Sequence, residues 1–138
     1  MKTIFSLFVF CLFAGGAANA QEQSKNDGAG SRTTIFVLGG YGYTNRPTQA
    51  YIELDEIVSK KNKTALSAWL GSGELVMQLY AIEGYKRLGS EIDAATREQI
   101  SLVLNNRGSV ATANGCMVSR SSVQQIAEKN GYFRLLEK

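Results

Sequence analysis

The sequence predicts a mainly α-helical small domain of about five helices with one minor β-hairpin near residues 109–119. Three observations predict it. From Pro47 to Leu104, and again after Ser121, apolar residues recur every three to four positions, the period of a helix with one buried face. Glycines and small polar residues punctuate these stretches where helices would stop and start. Asn114-Gly115 lies between short alternating segments, the pattern of a hairpin with a two-residue type I′ turn.

Taken in order, Met1 and Lys2 precede an apolar run over 4–13, and Ala18-Asn19-Ala20 then forms a small-x-small pattern. Residues 1–20 read as an export signal cut before Gln21, placing the mature chain in a periplasmic or secreted compartment. The apolar run is shorter than the roughly 20 residues that span a bilayer. Bulky Phe10 before Cys11 also argues against lipidation, so no stable membrane anchor is expected. Residues 21–32 carry no large apolar side chain and read as a flexible tether, with a single globular domain over 33–138.

Residues 33–38 are β-branched and apolar and suit a short strand, ended by Gly39, Gly40 and Gly42. A helix follows from Pro47, placed at its first position, to about Lys60, with Tyr51, Leu54, Ile57 and Val58 on one face. Asn62 caps a second helix that buries Leu66, Trp69 and Leu70 and stops at Gly71-Ser72-Gly73. Residues 74–88 form the strongest helix, with an apolar stripe broad enough to need cover on several sides. Ser90 or Asp93 caps a fourth helix that ends at Asn105-Asn106-Arg107-Gly108. After the hairpin, Ser121 or Ser122 with Gln124 or Gln125 opens a last helix, which Gly131 ends, and 132–136 packs back as a tail.

The stretch 66–104, an apolar short helix, a Gly-rich turn, then LVMQLYAIEGYKRLG, resembles a single HEAT-like helical hairpin. In such arrays paired helices expose a groove for a protein, so the resemblance implies an interaction module.

What the chain lacks narrows its chemistry. It contains no histidine, so Ser-His-Asp, Cys-His and His-metal mechanisms are excluded. No catalytic set, metal site or cofactor is expected. The charge of +3 falls by one when Lys2 leaves with the signal, and the remaining charges are interspersed. Nucleic acid is therefore not an expected partner. The G-x-G at Gly40 and Gly42 lacks the third glycine and the Gly-Lys-Ser/Thr of phosphate-cradling loops, and reads as a connector. Glu53, Asp55 and Glu56 project from a helix's polar face, and Glu83 beside Lys86 and Arg87 reads as a routine intrahelical pair.

Two groups of residues remain as candidates. Tyr41 and Tyr43, with Trp69 and Tyr85, combine apolar area and polar tips, which suits protein contact or sugar stacking. Cys116, the only cysteine after signal removal, has three readings: inert inward packing, a disulfide between two chains, or a reactive thiol activated by Arg120 or another cation. The leading expectation is an exported, non-catalytic protein-interaction or accessory module that uses the helices over 62–104 and the Tyr41/Tyr43 loop. The alternatives are a carbohydrate-binding protein, a thiol-dependent redox protein, and a homodimer through Cys116.

Overall fold

Residues 75–88 carry apolar side chains around most of their circumference, and such a helix has to be covered from several directions. The computed structural model describes residues 35–137 and places that helix at the centre. In chain order the elements are β1 (Ile35–Phe36), β2 (Gly40–Tyr41), β3 (Arg46–Pro47), α1 (Gln49–Ser59), α2 (Lys63–Leu70), α3 (Leu75–Leu88), α4 (Ala94–Leu104), β4 (Ser109–Asn114), β5 (Met117–Ser122), α5 (Val123–Asn130) and a short 3-10 helix (Tyr132–Leu135). α1, α2, α4, β1 and the 3-10 helix all pack on α3. Leu79, Tyr80, Ala81 and Ile82 are fully buried, as are Leu54 of α1, Leu66 of α2, Ile100 of α4 and Tyr132. Gly84 marks the closest approach: a Cβ there would collide with Leu66 and press on Leu54, so this mid-helix glycine sets how near α1 and α2 come.

The expected mainly helical class is corrected. The described residues are 54% helical and 17% strand, an α/β mix of five helices with five strands in two sheets. One sheet has the order β1-β4-β5, with β1 parallel to β4 through Ile35↔Ala111 and β5 antiparallel to β4; β2 and β3 form a second, antiparallel pair. The hairpin is no minor appendage, because its ladder runs to Ser109↔Ser122 and β1 returns to it across four intervening helices. Parallel pairing of segments so far apart leaves no local signature in a sequence.

Two local expectations change as well. Asn114 pairs with Met117, so Gly115 and Cys116 are the central turn residues. Gly115 takes φ 58° but Cys116 does not share the positive φ that type I′ needs at both central positions, so the turn is of type II′. Pro47 sits in β3 opposite Gly40, and Thr48 caps α1 by accepting the Tyr51 N–H at 3.1 Å. The other caps fall where small polar residues stand: Asn62, Asp93, and Ser122 with Gln125 in a capping box. The export signal 1–20 and the tether 21–32 lie outside the described residues.

One phenol ties the layers together. Tyr80 is fully buried, and its hydroxyl accepts the Val37 N–H at 3.0 Å, donates to the Val37 carbonyl at 3.0 Å, and lies 3.0 Å from Thr48 Oγ1. With the single Tyr80 proton given to the Val37 carbonyl, Thr48 Oγ1 is left to donate to the phenol oxygen while accepting from Tyr51. The ring lies 4.9 Å from Phe36, centroid to centroid. Tyr80→Phe strands the Val37 N–H in a buried site. It is expected to cost about 1–3 kcal/mol, with a fall in melting temperature of about 4–8 °C per kcal/mol. Tyr43→Phe, at a ring 98% exposed, is the control and stays within about 0.5 kcal/mol. Thermal melts of the two variants decide the point, and equal melting temperatures contradict it.

Candidate functional site

The Gly-rich stretch that reads as a connector is a hairpin. Tyr41 pairs with Arg46, and Asn45 donates its N–H to the Gly42 carbonyl at 3.2 Å, closing the loop 42–45. A Cβ on Gly40 would collide with the backbone of Asn45, so the glycine there serves the tightness of the hairpin. The Gly42 N–H then donates to the Gly115 carbonyl at 2.7 Å. That bond joins the tip of the β2–β3 hairpin to the tip of the β4–β5 hairpin.

The join assembles a pole from residues far apart in the chain. Tyr43 is 98% exposed, Met117 77% and Val118 60%, and Cys116 is free and exposed between the two tips' strands. Tyr41 is half-buried at the base of its hairpin. Met117 and Val118 are successive strand residues, so they project from opposite faces of the hairpin. Large apolar side chains this exposed at one end cost solvation unless another surface covers them.

The other predicted site residues do not join this pole. Tyr85 is 4% exposed on α3, with its hydroxyl 3.5 Å from the Lys63 carbonyl, and Trp69 is a half-buried ring of α2 packed against the core. A buried Tyr85 offers no stacking face, which removes it from the aromatic set. The inward-packing reading of Cys116 is corrected too, because a turn position at the tip has no interior to face. Arg120, the cation a reactive thiol would draw on, instead donates from Nε to Ser109 Oγ at 3.2 Å and from Nη2 to the Ser109 carbonyl at 3.0 Å. Ser109 stands at the other end of β4 from the turn.

Sequence reasoning missed a polar cluster beside the core. Glu83 is 8% exposed rather than solvated, its Oε2 lies 3.7 Å from Lys86 Nζ, and Arg87 turns away to Asp55 at 2.7 Å. Lys86 Nζ also stands 5.6 Å from the centroid of the buried Tyr132 ring. Burial pushes the Tyr132 phenol well above its ordinary range, and the Glu83 charge beside it pushes it further. The available signal was position: Glu83 lies on α3 between Ile82 and Gly84, inside a run with no exposed face. Glu53, Asp55 and Glu56 are exposed on α1, as expected of a solvated face. Among the described residues no group of three or more Cys, Asp or Glu could hold a metal ion, and no helix is long and apolar enough to cross a membrane.

Burial also raises the Tyr80 phenol. The folded chain therefore keeps protons on Tyr80 and Tyr132 that the unfolded chain releases above its ordinary pKa near 10. Stability is intact below about pH 10 and falls above it, as the unfolded chain gives up protons that the folded chain keeps. A base titration is expected to show phenolate absorbance from these rings rising together with loss of helical circular dichroism. Ionisation of all tyrosines with the helix signal intact contradicts it. No protein-family model, curated protein or solved structure matches this chain.

Proposed function

We propose that the chain is an exported, non-catalytic protein-interaction module whose contact surface is the pole made by the two hairpin tips. The Gly42–Gly115 hydrogen bond carries the reading, since it brings the Tyr43 loop to the hairpin tip where Met117 and Val118 are exposed on its two faces. Tyrosine and methionine are enriched at protein contacts because they bring large area with modest loss of conformational freedom. A pole anchored to β4 is ordered before binding, which lowers the entropy lost on association. Export is the second half of the proposal, supported by the Ala18-Asn19-Ala20 pattern after an apolar run. The carbohydrate reading is less well supported, because Tyr85 has no free ring face.

A photo-crosslinking residue at position 43 or 118, in the protein expressed in its own cells, is expected to give one discrete adduct. Met117→Ser is expected to weaken the position-43 adduct several-fold. A crosslinker at exposed Glu53 on α1 supplies the background. Adducts from positions 43 and 118 no stronger than that background contradict the proposal.

One observation favours a second reading, a disulfide-linked homodimer, because Cys116 is free and exposed at the same pole. Under oxidising conditions its expected mass is that of a dimer, which reductant or Cys116→Ser returns to the monomer. A monomer in every condition rejects this reading and leaves the first untouched.

A further inference from the structure

A cleft of about 910 Å³ opens between the α3–α4 loop, the start of α4, the end of α5 and the 3-10 helix. Its walls carry Lys86, Arg97, Lys129 and Arg134 against two acids, Glu91 and Glu128. Lys86 is engaged by Glu83, whereas Arg97, Lys129 and Arg134 make no ion pair among the described residues. Unpaired cations gathered in a concave site raise the local concentration of anions.

Arg97 is the residue that separates this cleft from an ordinary basic surface. It stands three and seven positions before Ile100 and Leu104, both fully buried, and so lies on the core-facing stripe of α4. Its Nε is sealed from solvent and has no hydrogen-bond partner. A buried donor left without a partner is unfavourable, and native structures rarely keep one without a use for it. An apolar side chain would suit that stripe better for folding alone.

We propose that this cleft binds a small amphiphilic anion, a carboxylate or phosphate head on a hydrocarbon or ring body. The two terminal nitrogens of the Arg97 guanidinium can pair with either head group, and Arg134 lines the same space. Ile92 and Leu135 supply an apolar wall for the body. The volume lies in the range of about 300–1,000 Å³ typical of small-molecule sites. Glu91 and Glu128 repel a second run of negative charge, which selects one compact head over a polyanion.

The test is calorimetric titration of the full chain with octanoate and octyl phosphate, with octanol and inorganic phosphate as probes that each lack one feature. One of the two amphiphilic anions is expected to bind with one-to-one stoichiometry and to outcompete both controls about tenfold or more. Arg97→Met and Arg134→Gln are each expected to weaken it about tenfold or more. Arg97→Met should leave the melting temperature unchanged or higher, so loss of binding is not loss of fold, and exposed Arg134 gives a second variant outside the packed stripe. Sedimentation with phosphatidylglycerol vesicles that depends on Arg97, in place of monomer binding, assigns the same chemistry to a lipid headgroup. The proposal is overturned if neither amphiphile nor vesicle binds at millimolar concentration. It is equally overturned if octanol or inorganic phosphate binds as well, or if the arginine variants bind unchanged.

Discussion

The Tyr80 hydroxyl is the constraint on which the other elements depend. A two-residue strand such as β1 cannot hold itself in place, since its ladder to β4 involves only Ile35 and Phe36. Tyr80 fixes the next residue, Val37, by both its N–H and its carbonyl, and through Thr48 it fixes the start of α1. Val37 and Thr48, 43 and 32 positions from Tyr80, thus meet at its one oxygen, inside a core where an unmet hydrogen bond is expensive. The buried phenol of α3 does for the sheet what a longer strand would otherwise have to do.

From this follows the arrangement of the two surfaces. With β1 and the start of α1 held, the chain between them has little choice but to turn tightly, and Gly40 allows the turn to close against Asn45. The β2–β3 tip then lies close enough for the Gly42–Gly115 bond. Tyr132 anchors the 3-10 helix in the core, and Arg134, two residues on, is thereby held at the cleft. Lys86 stands over the same ring. Hairpin pole and cleft are both positioned by tyrosines that are themselves out of reach of any ligand.

The helices were legible in the sequence because their signals are local. Asn62, Asp93 and Ser122 each accept a backbone N–H three residues on, and that geometry can be read from one side chain and its spacing. The sheet was not legible, since nothing near Ile35 announces Ala111 as its partner. The turn at Gly115 was misplaced by one residue for a related reason. Register is fixed by the whole ladder down to Ser109↔Ser122, and the favourable dipeptide Asn114-Gly115 yields to it. Of the candidate site, Tyr43 and Cys116 could be named from composition and turn chemistry. Their proximity rests on a backbone bond between two loops, which side-chain identity does not encode.

Glu83 and Arg97 point to a more general lesson about the same chain. Both occupy helix positions that face the interior, and each breaks the agreement between local pattern and packing that a folding-only sequence would keep. The Glu83–Lys86 pair, a buried carboxylate with an exposed ammonium, is weak evidence for stability, because desolvation of the acid offsets much of the attraction. Its effect here is geometric: it holds Lys86 at the cleft wall while the Tyr132 ring limits the space beneath it. Arg97 goes further, since its Nε has no protein partner at all. Glu83 acts on the cleft only through Lys86, which lines it together with Arg97 of the neighbouring helix. Two cations from different helices at one concave site suit the recognition of an anion, whereas folding alone asks for neither.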